Sequence, residues 1–144
     1  LHARCERVNL ISSITNQGKV RFMVYKNRMN LQTLIKFMKR LVKSSKKKIF
    51  LVLDNLTVHH SHVVKDWLKG HEDQIEVFFL PSDWPELNPD EYLNRDLKAG
   101  VHSAVPAKDK KQLRKKAISH LRKLQKLPRR VKKYFRHPKI AYAA

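Results

Sequence analysis

Acid is scarce in this sequence of 144 residues: 12 Asp and Glu stand against 32 Lys and Arg, a formal net charge of +20. A surplus of that size repels itself unless a polyanion shares it, so nucleic acid is the expected partner. Cysteine is nearly absent. The single Cys5 excludes an intramolecular disulfide and any zinc site built on several cysteines. Long apolar runs are missing, and none approaches the roughly 18–20 residues of a membrane-spanning helix. No charged segment followed by an apolar one opens the chain, so no secretory signal is read there. The first residue is Leu rather than Met, which leads to the expectation that the chain is a fragment. Set against these absences, 42% of the residues are hydrophobic and the length suits one domain with a real core.

The positive charge is unevenly spread. Residues 1–94 hold 15 Lys and Arg against 10 Asp and Glu, a net of +5, whereas residues 95–144 hold 17 against 2, a net of +15. A charge run is usually a solvated helix face, but a ratio this lopsided carries a self-repulsion that solubility alone does not call for. The expected organisation is a folded core over residues 1–100 and a basic, helical C-terminal extension of the same domain over 101–144.

Hydrophobic periodicity supplies the elements. Arg7 to Thr15 and Lys19 to Tyr25 are rich in β-branched residues and flank the turn signal Asn16-Gln17-Gly18, which reads as a β-hairpin. Asn30 caps a helix over 30–43, with Leu31, Leu34, Ile35, Met38, Leu41 and Val42 on one face and the basic Lys36, Lys39, Arg40 and Lys43 on the other. Ile49 to Leu53 is a short continuous apolar run, the pattern of a strand buried on both faces, and Ile75 to Leu80 repeats it. Between them Ser61 caps a short helix with Val63, Val64, Trp67 and Leu68 on its apolar side. After the proline-bracketed loop that follows Leu80, Asn88 reads as an N-cap, Pro89 as the first helical residue and Glu91 as the capping-box partner, with Gly100 suited to the helix end. Asp109 caps a further helix carrying Leu113, Ala117, Leu121 and Leu124, which Pro128 stops. The order β-β-α-β-α-β-α-α implies an α/β fold with a mixed sheet and flanking helices.

Two carboxylates stand where such folds place chemistry. Asp54 closes a central strand, and ligand sites of open α/β sheets lie at that end. Glu91 opens a helix entered through a rigid loop. Oxygen ligands of this kind suit Mg²⁺ or Mn²⁺, and a pair of such ions serves phosphodiester chemistry. Each acid also has a plainer reading: an Asp after a strand is often a turn or cap residue, and Glu91 fits a capping-box partner. His59, His60 and His62 cluster on a loop entering a helix, where polar surface residues are commoner than ligands, and no further Cys or His is spaced to complete a zinc site.

The segments around these acids resemble those of a known family. IFLVLDNLTVH, Ile49 to His59, resembles the second-acid motif of mariner-superfamily DDE transposases: an apolar strand, Asp-Asn, then His five residues after the Asp. FLPSDWPELNPDEYLNRDLK, Phe79 to Lys98, is similar to the third-acid motif, and the 36 positions from 55 through 90 match the family's spacing. The closest resemblance is to bacterial insertion-sequence transposases, and it extends over essentially the whole chain, including the ending Tyr134 to Ala144. It implies a ribonuclease H-like fold, a three-acid site with two Mg²⁺ or Mn²⁺ ions, Asp54 as the second acid and metal ligand, and Glu91 as the third. Asn55 and His59 match motif positions as well. Implied partners are DNA, both transposon ends and target, together with a second copy of the chain or a complementing N-terminal fragment, with no membrane; the implied location is a bacterial cytoplasm.

Two departures accompany the resemblance. Asp83-Trp84 replaces the family's usual Tyr-Ser in the proline loop. The first catalytic Asp belongs on a strand ahead of the hairpin, yet Glu6 is the only acid in the first 53 residues and sits at the start of the hairpin. The expectation is therefore a transposase fragment that cleaves and joins DNA when complete and is inactive alone. The alternative is a non-catalytic module whose basic third holds DNA or RNA. A basic RNA-binding protein of the ribosomal kind ranks below both, because it does not account for two acids at motif spacing.

Overall fold

The computed structural model describes residues 8–26, 28–54, 61–81, 85–103 and 105–144, the side chains of Pro85 and Ala141 excepted. Cys5, Glu6, Asn55, His59, His60 and the Asp83-Trp84 pair lie outside the described residues. The chain divides into two compact units, one formed by residues 1–24 and 89–144, the other by residues 25–88.

In the first unit, strands β1 (Leu10–Ile14) and β2 (Val20–Val24) pair antiparallel in the register Leu10↔Val24 to Ile14↔Val20. The expected hairpin is present. Its turn is closed by Gly18 N–H donating to the Thr15 carbonyl and Thr15 N–H to that of Lys19. Gly18 adopts φ +86°, and a β-carbon there would lie 2.3 Å from the Pro128 carbonyl oxygen, so glycine is required twice over. Against the hairpin pack α3 (Asp90–His102) and α4 (Lys110–Gln125), and α5 (Pro128–Tyr134) packs on both of these helices. Val20, Leu93, Leu97, Val101, Ala117, Leu121, Leu124 and Val131 form the buried cluster. The expected apolar stripe of α4 thus faces inward, and Asp109 accepts the Gln112 N–H at 2.8 Å as its cap. Pro128 supplies the first residue of α5, where its missing N–H loses nothing.

In the second unit, α1 (Leu31–Ser44) is capped by Asn30, whose side chain accepts the Thr33 N–H at 2.8 Å. Leu34, Phe37, Met38 and Leu41 are its buried residues. Strands β3 (Ile49–Leu53) and β4 (Ile75–Phe79) run parallel in the register Ile49↔Ile75 to Leu53↔Phe79, joined by α2 (His62–Lys69) with Ser61 as its cap. Helix α2 packs on β4 and α1 on α2.

Both pairings of a mixed sheet are therefore present, in two sheets of two strands each among the described residues. One expectation fails here. Neither β3 nor β4 is buried on both faces: Leu51 and Ile75 are buried, while Phe50 is 63% and Phe78 47% exposed. Alternation in a strand sends neighbouring side chains to opposite faces, so helices on one side cover only every second residue. A continuous apolar run records the residue types and says nothing of which face a neighbour covers. Gly100 is corrected as well. It lies inside α3, not at its end, and a β-carbon on it would meet the His120 imidazole at 2.2 Å.

Candidate active site

Asp54 follows the last residue of β3 and is half-buried. The ladder holds its backbone: Leu53 pairs with Phe79, and the Leu80 N–H donates to the Leu53 carbonyl at 2.8 Å. The carboxylate thus stands at the C-terminal edge of a parallel strand pair, as its sequence context predicts. Its Oδ1 accepts a 2.9 Å hydrogen bond from Asn88 Nδ2. Two segments separated by 34 positions, Leu-Asp at the strand end and Pro-Glu-Leu-Asn after the proline loop, are joined by this contact within one unit.

The start of the next helix overturns the capping-box reading. Helix α3 begins at Asp90, with Pro89 as the flanking residue and no side-chain cap hydrogen bond. The Asn88 side chain donates through its amide nitrogen to Asp54, where an N–H meets a carboxylate. Glu91 sits in the first turn of α3, half-buried. Among the described residues its carboxylate has no hydrogen-bond or ion-pair partner. With the capping role gone, the plain reading of Glu91 loses its support.

Sequence reasoning passed over two other acids. Asp90, next to Glu91, accepts from the Ser12 hydroxyl, which lies 2.9 and 3.0 Å from its two oxygens and ties the start of α3 to β1. Asp96, one and a half turns further on, is the hub of a buried network. It accepts from Arg130 Nε at 2.8 Å, Arg130 Nη2 at 2.6 Å, the His120 imidazole at 3.0 Å and the Tyr134 hydroxyl. Burial pushes the Asp96 carboxyl up, but the hydrogen bonds from Tyr134, Arg130 and His120 outweigh it and hold the group below the usual carboxylate range. Burial, with Asp96 close by, pushes the Tyr134 phenol up. The only forewarning in the sequence is that Asp96 is one of two acids in the last fifty residues.

Among the described residues, no three His, Cys, Asp or Glu side chains gather closely enough to hold a metal, and no helix is long and apolar enough to cross a membrane. The outer face of α4 is strongly basic. Lys115, Arg122, Lys123 and Lys126, with Ile118 and Leu127 between them, border a shallow groove of about 640 Å³.

The family model described as DDE superfamily endonuclease matches residues 1–114. The chain belongs to that family. No curated protein matches it by sequence. Among solved structures, the DDE endonuclease chain is similar to the Mos1 mariner transposase in its paired end complex with Mn, at 19% identity and a TM-score of 0.62, over 99% of this chain and 46% of the other. It is similar to the catalytic domain of Mos1 mariner transposase at 16% identity and a TM-score of 0.55, covering 94% of this chain and 80% of that domain. The Mos1 catalytic domain with raltegravir and Mg gives 17% identity and a TM-score of 0.57, over 94% and 81%. The chain thus spans about half the length of the transposase in the paired end complex. These likenesses show the fold, the ribonuclease H-like arrangement of transposase catalytic domains.

Proposed function

We propose that this chain is part of a transposase catalytic domain of the bacterial insertion-sequence type, cutting and joining DNA, with Asp54 and Glu91 as two of its three metal-holding acids. The observation that carries the reading is the placement of Asp54 at the C-terminal edge of the parallel β3–β4 pair, its carboxylate held by the Asn88 amide from the second motif. A half-buried carboxylate at a strand end is a hard oxygen donor of the kind Mg²⁺ and Mn²⁺ take. Such ions, when bound, supply the activation of a water or DNA 3′-hydroxyl and the stabilisation of the leaving oxygen. Asp54 and Glu91 are the residues of this chain that would hold them. The exposed Lys and Arg of residues 101–144 hold the phosphates of transposon ends and target as a basic extension of the core over residues 1–100, and the setting is a bacterial cytoplasm.

On this reading the chain as it stands does not cleave DNA. It supplies two acids of three, and the described residues contain no three-acid cluster. The second reading is a non-catalytic module that binds DNA or RNA, and the exposed Lys and Arg of residues 101–144 favour it. The missing carboxylate comes from a complementing N-terminal segment or from a second copy. The test is nicking of supercoiled plasmid in Mg²⁺ or Mn²⁺ by three proteins: the chain, the chain fused after a family-derived strand bearing the first Asp, and that fusion carrying Asp54→Ala. Activity in the fusion alone is expected. Nicking by the bare chain equal to that of the fusion, with the fusion unaffected by Asp54→Ala, overturns the three-acid reading.

A further inference from the structure

Asn88 does more than connect two motifs, and the reason lies in what is already fixed around Asp54. The β3–β4 ladder sets the Asp54 backbone through the Leu53↔Phe79 pair and the 2.8 Å bond from the Leu80 N–H to the Leu53 carbonyl. With the backbone set, the rotation of a short side chain is governed by the hydrogen bonds its carboxylate accepts. A ligating carboxylate loses affinity when its plane turns, and the outer hydrogen-bond partner that fixes that plane matters nearly as much as the ligand itself. The Asn88 Nδ2–H is such a partner. It reaches Oδ1 at 2.9 Å, an ordinary hydrogen-bond length, and so favours one orientation of the carboxylate plane.

Asn88 is itself held on both sides. The tight 3₁₀ turn Pro85–Leu87 precedes it, and Pro89, with φ −61°, follows it. Its side chain donates from a segment whose backbone has little freedom left. The residue type is also selective. An amide places a donor on the carboxylate, whereas Asp at this position would set two negative charges together, and Leu of similar bulk would offer nothing.

We infer that Asn88 is a positioning residue for metal binding: through its amide it orients the Asp54 carboxylate toward a divalent cation. The inference rests on the reading of Asp54 as a metal-holding acid and adds to it a residue that acts only through Asp54.

The probe is Mn²⁺ alone, titrated into the chain and followed by loss of the free-ion electron paramagnetic resonance signal. Asp54→Ala is expected to lose the site. Asn88→Ala, and Asn88→Leu which keeps the bulk, are expected to weaken Mn²⁺ binding about 10-fold with an unchanged thermal midpoint. In the Asp54→Ala background, Asn88→Ala should change nothing further, because the two act as a unit. If Asp54→Ala weakens binding while both Asn88 variants bind as the parent does, the positioning role is wrong and the metal site stands. An Asn88 effect of equal size with and without Asp54 overturns the role too, since it then acts through the fold. If Asp54→Ala binds Mn²⁺ as the parent does, the metal-site reading fails and takes this inference with it.

Discussion

Asp96 is 9% exposed at its side chain and receives donors from α4 and α5, so one carboxylate on α3 fastens three helices. Because its folded pKa is held below the free value of 3.8, its contribution to stability is complete above that value. The contribution is lost as the pH falls through the folded pKa, in the acid range below about pH 4. Asp96→Asn should therefore lower the unfolding free energy at pH 7 by about 2 kcal/mol, an amount moderated by the half-exposed Arg130. It should also flatten the acid limb of stability against pH, as urea melts at pH 7 and pH 3 will show. Gly100 belongs to the same network, since its missing side chain admits the His120 ring that reaches Asp96. Gly100→Ala should destabilise by about 1–3 kcal/mol through overpacking. In a His120→Ala background the sign should reverse to a gain of up to about 1 kcal/mol, because alanine then contributes only its helix propensity. Thermal melts of the four proteins decide it; a loss of equal size in both backgrounds refutes the steric account. None of this was legible beforehand. Gly100 reads as a helix end and Asn88 as a helix start because both residue types favour those positions locally, and the partners that claim them lie 20 and 34 positions away.

At the scale of elements, what could be read from the sequence divides along the same line. Helices α1, α2 and α4 were legible with their starts because those signals are local: Asn30, Ser61 and Asp109 each accept a backbone N–H from the first turn, as their residue types predict. The hairpin was legible because its turn residues lie between its strands. The surroundings of β3 and β4 were not, because cover for a strand face is contributed by distant segments. Leu51 and Phe50 make the contrast measurable. Leu51→Ala removes a buried side chain and should cost about 2–5 kcal/mol. Phe50→Ala, one residue away on the exposed face, should stay within roughly 0.5 kcal/mol. Denaturant titrations of the two variants test the face assignment, and similar losses for both would reverse it. The place of Asp54 at the end of β3 was legible because strand and acid are both sequence features. Its hold by Asn88 was not, because that depends on where the chain returns after the proline loop.

For the whole molecule, the surplus of +20 is concentrated where the fold needs its helices most. Ala117, Leu121, Leu124 and Val131 lie in the buried cluster of the first unit, so residues 108–144 are part of that core as well as its most basic stretch. Removing them would unfold what they are meant to report on. The charge must be altered on the outer face alone. Lys115, Arg122 and Lys126 are exposed, line one groove along α4, and touch none of the Asp96 network. Substituting the three with Gln should leave the thermal midpoint nearly unchanged, since exposed charges of one sign contribute little to the fold. Duplex DNA binding should weaken, with no dependence on sequence, because phosphate contacts position without reading bases. Each cation that neutralises a phosphate releases counterions and steepens the fall of log affinity with log salt by about 0.9, so three lost contacts should flatten the slope by up to about 2.7. Filter binding between 50 and 200 mM salt, run on parent and triple variant, measures both quantities. A parallel downward shift with an unchanged slope would mean that the three cations act indirectly. An unchanged affinity would move the DNA surface to the Lys36, Lys39, Arg40 and Lys43 face of α1, which is exposed and equally basic.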